Sequence, residues 1–479
     1  MNNKNNSSLK RNFVYTLTYQ ILTIIIPLVT APYVSRTIGA NGLGIYSFSY
    51  SVAYYFVIFI MLGLNNYGSR AIAEHRDNAH ELSIIFWEIY STQLTLGVML
   101  STVYYVYACF FAQDKISALL LGMYVVSAIF DINWFFYGKE YFKLTVLRNI
   151  VIKLLATSCI FIFVRNSSDI YKYCLILSAS ILLSQLVLWP YLRKEIYFVR
   201  PTWINIKKHL KPNAVLFITV LAVSLFKIMD KIMLGVMSSY DQVGFYESAE
   251  KVINIPIVFV TALGTVMLPR VTNMLSYDKE SDLKLLEASA VFSMWITVPL
   301  CMGLMAVSDI FVPFFYGPGF ETCIVLYYIL LPSCIFLGFA NVIRTQFLIP
   351  HKMDREYVIS ALLGAMVNMT INLILIPYFK SAGAAIGTLV AEMAVCIYQC
   401  WKVEKRAPVH GAALLSIPAF IAGCGMLFCI KMVNINTTVI LQLAVKVIIG
   451  GFVYLGTLIL LLLLFKDYYI EIINTIRKV

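Results

Sequence analysis

The chain has 479 residues, 60% of them hydrophobic and 13% charged, with a mean hydropathy of +0.80. A water-soluble domain carries roughly a quarter of its residues as charges, so this composition excludes an ordinary globular enzyme and makes the bilayer the principal solvent. The formal net charge of +12 is then a matter of membrane topology, and nucleic acid is not an expected partner.

Apolar runs of about 20 residues, each able to cross about 30 Å of hydrocarbon at 1.5 Å per residue, recur from Phe13 to Phe465. They predict an all-α polytopic membrane protein of about 14 helices, at roughly 13–35, 45–64, 83–111, 117–137, 145–164, 174–193, 213–236, 251–272, 287–308, 321–342, 357–379, 382–402, 410–432 and 439–465. Met1 to Arg11 is polar and basic, and the apolar run behind it is too long for a signal-peptide core. It reads as a retained first helix. The longest loop, between Leu192 and Pro212, is too short to hold an independent domain. No attached catalytic module is expected, and the chain is not read as an enzyme.

Lysine and arginine near helix ends resist translocation. With the amino terminus in the cytoplasm, that side collects about 26 basic residues and the opposite side about seven. An even number of crossings preserves this bias, which places both termini in the cytoplasm. The ten cysteines form no C-x-x-C pair and fall mostly inside apolar runs, as small buried hydrophobes. The five histidines fall in or beside connecting loops without metal-ligand spacing, so neither a metal nor a cofactor is expected.

An internal repeat is visible. Arg36-Thr-Ile-Gly39 and Gly44-Ile-Tyr46 are echoed about 200 residues later by Met233-Leu-Gly235 and Gly244-Phe-Tyr246, and Leu62-Gly63 before Arg70 is echoed by Leu263-Gly264 before Arg270. Six crossings separate the copies, so both halves share one orientation, as in a parallel repeat about an axis along the membrane normal. The expected domains are an amino-terminal six-helix lobe over 1–200, a second over 201–406, and two extra helices with a cytoplasmic tail over 407–479.

Charges inside spans cost roughly 2.5 to 3.5 kcal/mol each even on a lenient scale, so they should face protein or water. Lys227, Asp230 and Lys231 share one face of the seventh span at i, i+3 and i+4, leaving one positive charge over. Arg36 ends the corresponding helix of the other lobe, and the repeat axis would set it across one cavity from this cluster. Asp131 and Lys153 lie at similar depth on adjacent antiparallel spans, as expected of a buried ion pair. Such charges have two readings: they bind an anionic ligand, or they lock helices together. Asn368 and Asn372, i and i+4, suit interhelical hydrogen bonding, and Glu392 is a weaker candidate, beside Asp230, for coupling an ion.

The stretch Pro32-Tyr-Val-Ser-Arg36-Thr-Ile-Gly-Ala-Asn-Gly-Leu-Gly-Ile-Tyr46 resembles the opening signature of polysaccharide repeat-unit flippases, in the multidrug/oligosaccharidyl-lipid/polysaccharide exporter superfamily. Asp131-Ile-Asn-Trp134-Phe-Phe-Tyr-Gly138-Lys-Glu140 is similar to that family's Trp-x-x-x-Gly-x-Glu segment, and Asp230-Lys-Ile-Met-Leu-Gly235 with Val243-Gly-Phe-Tyr246 to its seventh-span motif. The densest match runs from Gly364 through Asn368, Asn372, Pro377, Gly383 and Gly387 to Glu392.

The resemblance implies a two-lobed exporter fold with two additional helices. It also implies that undecaprenyl-pyrophosphate-linked oligosaccharide, as for O-antigen or capsule, crosses to the outer leaflet of a bacterial cytoplasmic membrane by alternating access coupled to an ion gradient, as in an antiporter. Arg36, Lys227 and Lys231 would meet the anionic headgroup, Asp230 would hold the lysines, and membrane lipids and polysaccharide polymerase or export machinery would be the neighbours. The rival readings are a cation-coupled drug exporter of the same superfamily, which would favour acidic cavity residues, and a membrane-embedded sugar polymerase, which would carry a long external catalytic loop.

Overall fold

The computed structural model describes residues 2–274, 279–407, 409–435 and 437–466 and a few positions beyond, while the side chains of 2–21, of several positions in 203–227 and of most of 263–282 lie outside the description. Arg70 is thus described, but the side chains of Leu263 and Arg270, its counterparts in the repeat, are not. Two compact units emerge, one of residues 1–235 with 239–244, the other of 236–238 with 245–479.

The first unit begins with α1 (Asn2–Met61), whose rod is interrupted at Gly39 with φ 71° and ψ −179°. Then follow α2 (Leu64–Glu74), α3 (Ala79–Phe110), α4 (Lys115–Ser127), α5 (Asn133–Gly138), α6 (Phe142–Phe163), α7 (Ile170–Leu186), α8 (Trp189–Leu192) and α9 (Trp203–Met237). Helix starts carry their own acceptors: the Asn78 side chain accepts from the amides of His80 and Glu81, and Asp114 from that of Ser117. The core holds Phe86, Tyr104, Trp134, Phe135 and Phe136, with Phe86 stacked on Trp134 at 5.3 Å between centroids. Lipid is as apolar as these side chains, so close packing and hydrogen bonds hold such helices together more than any flight from water.

Irregular backbone at membrane depth must find partners inside the protein. Between α4 and α5 the chain leaves the helix, and Gln93 on α3 answers for it. Its Nε2 donates to the carbonyls of Ala128 at 2.7 Å and Asp131 at 2.8 Å, and its Oε1 accepts from Trp134 Nε1 at 3.1 Å. Trp189 Nε1 reaches the Phe130 carbonyl at 3.1 Å.

The second unit contains most of α10 (Tyr240–Met274), then α11 (Lys279–Tyr316), α12 (Thr322–Ile343) continued by a π-helical turn (Arg344–Leu348), α13 (Asp354–Val403), α14 (Val409–Leu415), α15 (Ile417–Met432) and α16 (Val439–Leu464). Within α13 the chain reverses at Lys380, φ 53° and ψ −128°. The two rods then lie antiparallel at close range: a Cβ on Gly383 would stand 2.6 Å from the Leu375 carbonyl oxygen, and one on Gly387 would stand 2.1 Å from Asn372 Oδ1.

Among the described residues, nine helical segments are long and apolar enough to cross a membrane. Two of them, Ile25–Glu74 and Asp354–Val403, have 50 residues each and contain the breaks at Gly39 and Lys380. At 1.5 Å per residue each would measure about 75 Å if straight, more than twice the hydrocarbon thickness. The nine omit α4, with only 13 residues, and also α9 and α10, where many side chains are undescribed. Those are the places where the number of segments departs from the expected 14.

Candidate translocation site

Helix α9 carries the expected charge cluster, and the first unit presses it against the rod of α1 that follows Gly39. The Tyr55 hydroxyl donates to the Ser224 carbonyl at 3.3 Å and lies within electrostatic reach of Asp230. Nearer the end of α9, a Cβ on Gly235 would meet the Phe48 ring at 2.1 Å. Glycine is therefore the residue that lets the two backbones approach.

Beyond the end of α9 the repeat copies meet. A Cβ on Gly44 would lie 1.7 Å from the Tyr240 carbonyl oxygen, and one on Gly244 would lie 1.9 Å from that of Ala40. Asn41 Nδ2 donates to Asp241 Oδ2 at 3.2 Å. Residues 40, 41 and 44 thus face 244, 241 and 240, a reciprocal arrangement of positions 200 apart that a local two-fold axis produces.

Asp230 is 2% exposed on α9, and Lys231 beside it is half-buried. The side chain of Lys227 lies outside the described residues. Arg36 lies on the rod before Gly39, with its side chain exposed. Asp230 therefore sits near the α1–α9 contact, whereas Arg36 occupies the other rod of α1.

Asp131 lies in the break before α5, where its Oδ1 accepts from the Asn133 amide at 3.0 Å and from Asn133 Nδ2 at 2.7 Å. Arg148 lies within electrostatic reach of it, and Lys153 is five residues further along α6. Arg148 is 6% exposed within α6, donating to the Ser184 carbonyl at 2.8 Å, to Asn133 Oδ1 at 2.9 Å and to Asn149 Oδ1 at 2.7 Å. The polar residues Asn133, Asn149, Ser184 and Gln185 inside apolar runs were its sequence signal.

A further cluster went unread because His209 falls inside α9 rather than in a loop. Its Nε2 stands 3.0 Å from Glu88 Oε2 and its Nδ1 stands 2.6 Å from the Tyr67 hydroxyl, while Asn205 Nδ2 donates to Glu88 Oε1 at 2.7 Å. In the second unit, Asn372 Nδ2 donates to Asn368 Oδ1 at 3.1 Å, and the Tyr246 and Thr388 hydroxyls lie 2.9 Å apart, tying α10 to α13. Glu392 is buried one turn past Thr388, within reach of Cys396.

A many-helix membrane protein with buried polar clusters and an internal repeat is the architecture of a transporter. A family model described as "Polysaccharide biosynthesis protein" matches residues 9–275, and one described as "Lipid II flippase MurJ" matches residues 145–445. The "Putative O-antigen transporter" of Escherichia coli K12 is 25% identical over 398 residues, which is 82% of this chain and 96% of that protein. A solved lipid II flippase MurJ in an inward closed conformation has a TM-score of 0.78 at 15% identity, covering 95% of this chain and 99% of its own. An inward-facing multidrug resistance MATE family transporter has a TM-score of 0.59 at 13% identity, covering 82% of this chain and 99% of its own. The chain belongs to the polysaccharide biosynthesis and MurJ-type flippases of the multidrug/oligosaccharidyl-lipid/polysaccharide exporter superfamily.

Proposed function

We propose that this protein carries an undecaprenyl-pyrophosphate-linked oligosaccharide from the inner to the outer leaflet of a bacterial cytoplasmic membrane, by alternating access driven by an ion gradient. The observation that carries this reading is the alignment with the O-antigen transporter along 96% of that protein's length. In this reading there are 14 crossings, both termini are cytoplasmic, and a six-helix lobe over 1–200 and another over 201–406 enclose the path.

A pyrophosphate stripped of water is too costly for bare hydrocarbon, so the path must replace part of its hydration with cations. Arg36, Lys227 and Lys231 take that role, Asp230 holds the lysines in place, and the polyprenyl tail stays in lipid. Asp131 and Lys153 line the inner part of the path, and Asp230 and Glu392 are the acidic groups available to a coupling ion.

The test is complementation of a strain lacking this gene. The double variant Lys227→Gln, Lys231→Gln should reach the membrane in normal amount yet lose glycan export by at least about tenfold, the factor that corresponds to about 1.4 kcal/mol. Lipid-linked repeat units should then accumulate in the inner leaflet. Full export by the double variant refutes the cationic assignment. The MATE fold match favours a second reading, drug export; a deletion strain hypersensitive to drugs with unchanged glycan would establish it.

A further inference from the structure

The cluster of Glu88, His209 and Tyr67 has no part in the roles above. The Glu88 side chain is 8% exposed and that of His209 17%. A carboxylate so enclosed is costly unless a positive charge or several donors compensate it. With both ring nitrogens protonated, His209 cancels the carboxylate charge and donates to Glu88 on one side and to the Tyr67 oxygen on the other. With one proton, Nε2–H stays on Glu88, Nδ1 accepts from Tyr67, and a negative charge is left enclosed. The contact of α9 with α2 and α3 thus has two states that differ by one charge.

Among the described residues, titratable and polar groups reach it from three helices. From α2 come Tyr67 and, within electrostatic reach of its hydroxyl, Glu74. From α3 comes Glu88. From α9 come Asn205, whose Oδ1 accepts from Lys208 Nζ at 3.0 Å, and the exposed Lys207. The Asn205 amide thus links Lys208 to Glu88. Three residues past His209, Pro212 sits inside α9 and has no amide to bond the carbonyl of Lys208.

We propose that Glu88, His209 and Tyr67 form a proton-controlled latch, separate from the groups offered to a coupling ion: a proton on His209 holds the amino-terminal turns of α9 to α2 and α3, and its loss to water releases them. Only an N–H bond is made or broken. The purpose of the latch rests on the transport reading above; its existence does not. Hydrogen exchange on the purified full-length protein in lipid nanodiscs, corrected for intrinsic rates, tests it over a pH series.

Protection of residues 203–212 should fall by about tenfold or more as pH rises, since a tenfold change needs only about 1.4 kcal/mol of lost charge compensation. His209→Gln keeps hydrogen-bonding capacity without titrating, and its protection should be independent of pH. Glu88→Gln should behave in the same way, with unchanged monodispersity as its folding control. Equal pH dependence in wild type and His209→Gln, or none in wild type, overturns the proposal. A protein that shows the latch but exports no glycan overturns the transport reading alone, and one that exports glycan with flat protection overturns the latch alone.

Discussion

Lys380 holds φ 53° and ψ −128° at the reversal in α13 with its side chain exposed. Glycine enters that region freely, and other residues enter it at about 1–3 kcal/mol. Lys380→Gly should therefore raise the thermal midpoint in detergent by a few degrees; a lower midpoint would show that the lysine makes a contact worth more than the strain. Gly387 argues the opposite way, because its Cβ would sit against Asn372 Oδ1, and Gly387→Ala should lower the midpoint.

At the scale of elements, the break between α4 and α5 depends on one side chain from another helix. Gln93→Leu would leave two carbonyls and the Trp134 indole N–H without their partner, and each buried orphan costs about 1–3 kcal/mol. A large drop in thermal midpoint or in yield is expected, against little change for Thr95→Val, whose hydroxyl bonds only its own helix at Ser91. Equal behaviour of the two variants would refute the clamp. Nothing in the sequence marks Gln93 as the partner of this break. The sequence shows periods and lengths, so the rods were legible, and Gly39 and Lys380 fall in expected turns. It does not show which polar residue of a distant helix meets a broken backbone.

For the whole molecule, the proposed orientation rests on the lopsided lysine and arginine distribution. A fluorescent protein fused after Val479 should glow and alkaline phosphatase fused there should be silent; active phosphatase would invert the proposed topology. The repeat and the ordered motifs made the family legible, because glycines at helix crossings and charges in spans are costly features that few folds retain. The geometry of the proposed binding residues was less legible, since depth along a helix does not say toward which neighbour a side chain turns. The reciprocal glycine crossing offers a handle on the cycle. Asn41 and Asp241 already touch, so a short thiol-reactive tether between Asn41→Cys and Asp241→Cys, in a background free of the ten native cysteines, would staple one copy of the repeat to the other. If the helices must part for cargo to leave, the stapled protein is arrested and a cleavable tether restores it on reduction; undiminished export in the stapled state would mean that this crossing is a fixed pivot and that the passage opens elsewhere.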